Sequence, residues 1–103
     1  MSETVYKILP RTAWEAAIAA GVYHGSADDQ RDGFIHLSRA HQLEGTLSKH
    51  FAGQSDLVLV SLSSDRLGAA LRFEVSRGGE PFPHLYGPLD PALALEVRPV
   101  EPG

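Results

Sequence analysis

The sequence predicts a small α+β domain with a mixed or antiparallel sheet and two main helices. Short apolar alternations of period two recur late in the chain, and only two stretches carry helical periodicity. The run 57–62 is apolar at nearly every position. Strands that follow one another without intervening helices argue against a doubly wound βαβ fold.

Val5-Tyr6-Lys7-Ile8-Leu9 reads as the first strand, stopped by Pro10. Thr12 and Glu15 have capping-box spacing, so a helix is expected to begin there. Trp14, Ala17, Ile18 and Gly21 fall at i, i+3, i+4 and i+7, which turns Trp14 and Ile18 to the core and makes Gly21 the stop. Val22-Tyr23-His24 is a brief extended piece before a polar loop, Gly25–Asp32.

Phe34–Leu37 is the second strand, with Phe34, His36 and Ser38 on one face. Ser38 is placed to cap a helix over 39–51, whose stripe is Ala40, Leu43, Leu47 and Phe51 and whose stop is Gly53. Leu57–Leu62 is a central strand covered on both faces. Ser63–Gly68 is a turn. Leu71, Phe73 and Val75 then alternate with Arg72, Glu74 and Ser76 in a half-buried strand, where Arg72 and Glu74 pair on the solvent side. Pro81 and Pro83 make Phe82–Tyr86 an edge strand or extended loop. The last strand alternates through Leu93, Leu95 and Val97 and stops at Pro99.

With 103 residues the chain holds one domain, 1–103. Its 43% apolar and 21% charged content is that of a folded globular protein. The net charge of −4 and nine scattered Lys and Arg disfavour non-specific nucleic-acid binding, which needs one basic face. No run approaches bilayer-spanning length and no signal sequence precedes the first strand, so the expectation is a cytoplasmic protein without membrane contact. Without cysteine, chemistry must rest on His, carboxylates, hydroxyls or Arg. The histidines lack compact metal-ligand spacing, and no metal site is expected. A serine-hydrolase elbow is missing as well.

Two segments concentrate polar groups. His36 and Ser38 lie two apart where a strand gives way to a helix; the plainer reading is a half-buried imidazole and a cap. If Ser38 caps that helix, the free N–H groups beside it would favour an anionic ligand such as phosphate. His84-Leu85-Tyr86-Gly87-Pro88 puts two polar aromatics on one face of a proline-bounded segment, and the plainer reading there is edge-strand packing. His24-Gly25-Ser26 reads as a turn. The candidate cleft is therefore built from Gly33–Ser38 and His84–Gly87. His36 and His84 are its candidate catalytic residues; Phe34, Ser38, Tyr86 and Gly87 are its candidate ligand-binding residues.

Tyr6-Lys7-Ile8, Trp14–Ala17, Gly33–Ser38, Arg72-Phe73-Glu74 and Phe82–Pro88 together resemble the small bacterial domain of unknown function 952 family, over nearly the entire chain. That resemblance implies the ADP-ribosyltransferase fold. The start of the chain is similar to the RNA 2′-phosphotransferase branch, whose second-strand histidine His36 matches. Tyr6 and Lys7 stand where that branch has its ribose-binding histidine, and neither Glu74 nor Glu96 sits in a catalytic-glutamate signature.

Three readings stay open. An ADP-ribosyltransferase-like enzyme would take NAD as substrate, with His36 bonding ribose or phosphate, Ser38 orienting it and Tyr86 stacking on a ring. A non-catalytic module would bind a nucleotide-like metabolite or a peptide in the same cleft. A structural or interaction protein would use these side chains for packing alone. A small-molecule ligand is the expected partner in the first, and no resident cofactor is assigned.

Overall fold

The first strand, β1 (Thr4–Pro10), pairs along its whole length with β4 (Leu57–Ser63). The structure, a computed structural model, describes residues 2–101 apart from the side chain of Arg77. Within these, two antiparallel sheets form, one of four strands and one of three. The larger sheet has the order β3 (Ser38–Arg39), β1, β4, β7 (Glu96–Val100), and the smaller the order β2 (Ile35–His36), β6 (Pro81–Leu85), β5 (Leu71–Val75). The α+β architecture is thus as the sequence predicts, with the strands divided between two sheets and all pairings antiparallel.

β4 alternates between two covered faces. Val58, Val60 and Leu62 join Val5, Leu9, Trp14, Ile35, Leu37 and Leu85 in the main core between the sheets and helix α1 (Arg11–Ala20). Leu57 and Leu59 join Ile8 in a second cluster covered by Leu43, Leu47 and Phe51 of helix α3 (Leu43–His50) and its end. Full burial on both sides accounts for the unbroken apolar run.

Several local expectations change. Helix α1 starts at Arg11, directly after the extended Pro10, so Thr12 and Glu15 make no capping box; Glu15 instead accepts from Arg11 at 2.7 Å. Its buried stripe is narrower, since Trp14 and Ala17 face the core while Ile18 is 58% exposed. Gly21 ends it in the left-handed region at φ 80°. The polar segment before Phe34 is a helix, α2 (Ala27–Asp32), started by a capping box in which Ser26 Oγ accepts from Asp29 N and Asp29 accepts from Ser26 N. The segment 63–68 holds another short helix, α4 (Ser64–Leu67).

Ser38 does not cap a helix. It lies in β3, opposite Tyr6, and its hydroxyl meets Thr46 Oγ1 at 3.0 Å. The backbone N–H of Arg39 is taken by Gln42 Oε1 instead, and a tight turn over 40–42 leads into α3. β6 is the centre of its sheet, not an edge: Pro81 occupies its first position, and the carbonyl of Pro83 accepts from Leu37 N at 3.0 Å. β5 is an edge strand in which Leu71 packs on the main core as expected but Phe73 and Val75 are exposed; on its other face the exposed Arg72 and the half-exposed Glu74 lie opposite His84 and Phe82 of β6. β7 runs through Pro99, which an edge strand tolerates, and ends at Val100.

Candidate functional site

The site grows from the point where the chain changes sheets. Gly33, at φ 87°, ends α2 and delivers Phe34 to β2; one residue beyond β2, Leu37 is buried and Ser38 enters the other sheet. β2 pairs with β6 so that Ile35 opposes Leu85 on the core side and His36 opposes His84 on the other. Arg72 opposes His84 from β5. Two candidate histidines distant in sequence therefore share one row, with ring centroids 5.8 Å apart.

Phe34 is the common neighbour of these rings. It stacks on His84 at 4.0 Å and tilts against His36 at 4.6 Å and Tyr86 at 5.3 Å. Beside this cluster opens a cavity of about 580 Å3 whose walls include Lys7, Ser26, His36, Ser38, Thr46 and His84. Phe34, Tyr86 and Gly87 do not line it. Phe34 and Tyr86 support the histidines from outside, and Gly87 forms the exposed turn after them.

Each imidazole is tied to a carboxylate that the sequence reading did not assign to it. Asp29 Oδ1 receives His36 Nδ1 at 2.6 Å and His36 N at 3.1 Å, while Asp32 Oδ2 lies 2.9 Å from His36 Nε2. Glu74 Oε1 receives His84 Nδ1 at 2.8 Å and the Tyr86 hydroxyl at 2.7 Å. These two bonds hold the Glu74 carboxyl below its ordinary range, the tyrosine contributing most. The Tyr86 hydroxyl is shifted up in return.

Under His36 sits a buried ion pair. Lys7 Nζ donates to Asp29 Oδ2 at 2.9 Å and to the carbonyl of His36 at 3.0 Å. Burial draws the Lys7 ammonium below its ordinary pKa even though Asp29 counteracts it. For Asp29, burial opposes the charge, but the Lys7 ammonium, the Ser26 N–H and His36 overcome it and keep the carboxyl below its usual value. The pair had sequence signals: Lys7 stands between Val5 and Leu9 on the inward face of β1, and Ser26 and Asp29 have cap spacing. Among the described residues no group of three or more His, Cys, Asp or Glu is arranged to hold a metal.

Gly25 closes this corner. It has φ +101°, and a Cβ there would sit 2.7 Å from Asp29 Cβ. Gly25→Ala should therefore lose about 1–3 kcal/mol in denaturant unfolding, from backbone strain and displacement of Asp29 together. Gly33→Ala, where a Cβ meets nothing within 4 Å, should lose less.

The comparisons with known proteins agree on a family. Crystal structures of protein CC0527 from Caulobacter crescentus and of a double mutant of it superpose on the chain with a TM-score of 0.92 each, at 46% and 45% identity, covering 95% of this chain and 86% of theirs. A solution structure of CC0527 gives a TM-score of 0.85 at 46% identity, over 95% of this chain and 84% of that one. No curated protein matches. A family model described as protein of unknown function (DUF952) matches residues 8–97, and the chain belongs to that family.

Proposed function

We propose that the cavity binds a nucleotide of the NAD class through its ribose end, in the manner of an ADP-ribosyltransferase-like enzyme. The observation that carries this reading is the meeting of His36 and His84 at the wall of one cavity that Ser38 also lines. Its volume, about 580 Å3, is within the common range for small-molecule sites.

The lining favours ribose over phosphate. Lys7 is engaged by Asp29, and Arg31 by Asp28 and Asp32, so the nearby cations are already matched by carboxylates. A ribose hydroxyl can instead bond His84 and the hydroxyls of Ser38 and Thr46. The acidic surroundings suit a cationic nicotinamide ring and the oxocarbenium-like state formed when its bond to ribose breaks. Tyr86 supports His84 through Glu74 rather than stacking on a ligand ring. The resemblance to the transferase fold is an analogy that agrees with this reading.

Calorimetric titration of the purified chain with NAD tests it, together with an assay for released nicotinamide. Binding heat is expected, and Ser38→Ala or His84→Ala should weaken binding roughly three- to tenfold, the scale of one lost hydrogen bond. Absence of heat at millimolar NAD overturns the proposal. A second reading, a non-catalytic module for the same ligand class, is favoured by Lys7 occupying the first strand in an ion pair with Asp29. Binding without nicotinamide release identifies it.

A further inference from the structure

His36 and His84 are neighbours, yet they are held in chemically different ways. His36 meets a carboxylate oxygen at each ring nitrogen, Asp29 at Nδ1 and Asp32 at Nε2. Both His36 nitrogens are thus faced by carboxylate oxygens, so neither is left open to the cavity. His84 meets a carboxylate at Nδ1 alone; among the described residues its Nε2 has neither a hydrogen-bond nor an ion-pair partner. The residue is only 6% exposed overall, and it lines the cavity.

Everything around His84 fixes that difference. Glu74 takes the Nδ1 proton and is itself anchored on the same oxygen by the Tyr86 hydroxyl. The Arg72 guanidinium lies 5.3 Å over the Tyr86 ring, and Phe34 stacks on the imidazole at 4.0 Å. With Nδ1 donating to Glu74, the neutral ring carries its lone pair on Nε2.

We propose that His84 is the proton acceptor of the cavity toward a hydroxyl of the bound ligand, with Glu74 as its positioning residue and His36 as scaffold. In that step the ligand O–H bond breaks and its electron pair stays on oxygen. The proton joins the Nε2 lone pair, and Glu74 stabilises the imidazolium formed. The ligand's identity rests on the nucleotide reading above; the lone pair on Nε2 does not.

Two measurements on the full chain test this. With isotope-labelled histidine, long-range nitrogen–proton correlation near neutral pH should show His84 with its proton on Nδ1; a proton on Nε2 overturns the proposal. Acylation by diethyl pyrocarbonate, which attacks an unprotonated imidazole nitrogen, mapped by mass spectrometry, should modify His84 and spare His36. Glu74→Gln still offers an acceptor to Nδ1 but no charge. Compared at a pH above imidazole titration, where the unprotonated fractions are equal, it should slow the reaction at His84 about twofold through a less basic Nε2 while leaving exposed His24 unchanged. An equal rate in the variant and the original removes Glu74 from the role. Should Glu74→Gln fail to fold, the correlation spectrum of the unaltered chain decides alone. NAD should protect His84 from acylation; a reactive His84 that NAD leaves unprotected overturns the nucleotide reading and keeps the proton acceptor.

Discussion

Replacing Asp29 with alanine should destabilise the fold by about 3–5 kcal/mol, the loss expected when one partner of a buried ion pair is removed. Asp29 is 1% exposed and accepts from Lys7 Nζ, Ser26 N, His36 N and His36 Nδ1. Without it, the Lys7 ammonium stays buried on the His36 carbonyl alone, and the capping box of α2 loses its reciprocal half, the bond from Ser26 N. For a domain of this length such a loss lowers the midpoint of thermal unfolding by on the order of 12 °C or more. Calorimetric melting checks it. Removing both charges, as in Lys7→Met with Asp29→Leu, should recover part of the loss, because the desolvation cost goes with them. A single variant that melts within a few degrees of the original contradicts this account.

The same residue sets an acid limit. Asp29 has a folded-state pKa below its ordinary 3.8, so its contribution is present above that value and is lost as pH falls through the folded pKa. Stability should therefore drop steeply in acid below about pH 4, and Asp29→Ala should flatten that drop. The exposed pairs of Arg11 with Glu15 and Asp56, and of Arg31 with Asp28 and Asp32, lie in solvent and are expected to matter little.

What could be read in the chain was what local pattern decides. β4 is apolar on both faces because both are covered, and Gly21 ends α1 because that position needs a positive φ. Tertiary context settled the rest. α2 has no apolar stripe to betray it; its start is fixed by Ser26 and Asp29, and Asp29 is buried against a lysine from β1. β6 carries two prolines and still lies at the centre of its sheet, since Pro81 is at its first position and Pro83 contributes a carbonyl. Phe73 and Val75 alternate as core residues do but are exposed at the sheet edge, where Leu71 alone of that face reaches the core, while the other face sets Arg72 and Glu74 beside a row of polar rings. His36 and His84 were visible as candidates; the carboxylates behind them were not, because each pairing crosses between elements that only the fold brings together.

The largest effect on the site from outside it is expected at Leu85. This side chain is 2% exposed, opposes Ile35 on β2 and Leu71 on β5, and is part of the main core. Leu85→Ala should cost about 2–5 kcal/mol, combining lost burial with the void left where the two sheets meet. Its consequence reaches the neighbouring row. The Ile35–Leu85 pairing is the core-side half of the two-residue ladder that sets His36 opposite His84, so a weakened core there loosens the register of the short β2. The variant should melt well below the original and, while still folded, should exchange the backbone amide protons of residues 34–37 faster than those of β1 and β4. Valine at the same position keeps most of the apolar volume and should lie between the two. If alanine lowered stability while exchange at 34–37 stayed as slow as in β4, the histidine row would be held by the Asp29 and Glu74 carboxylates, not by the core beneath it.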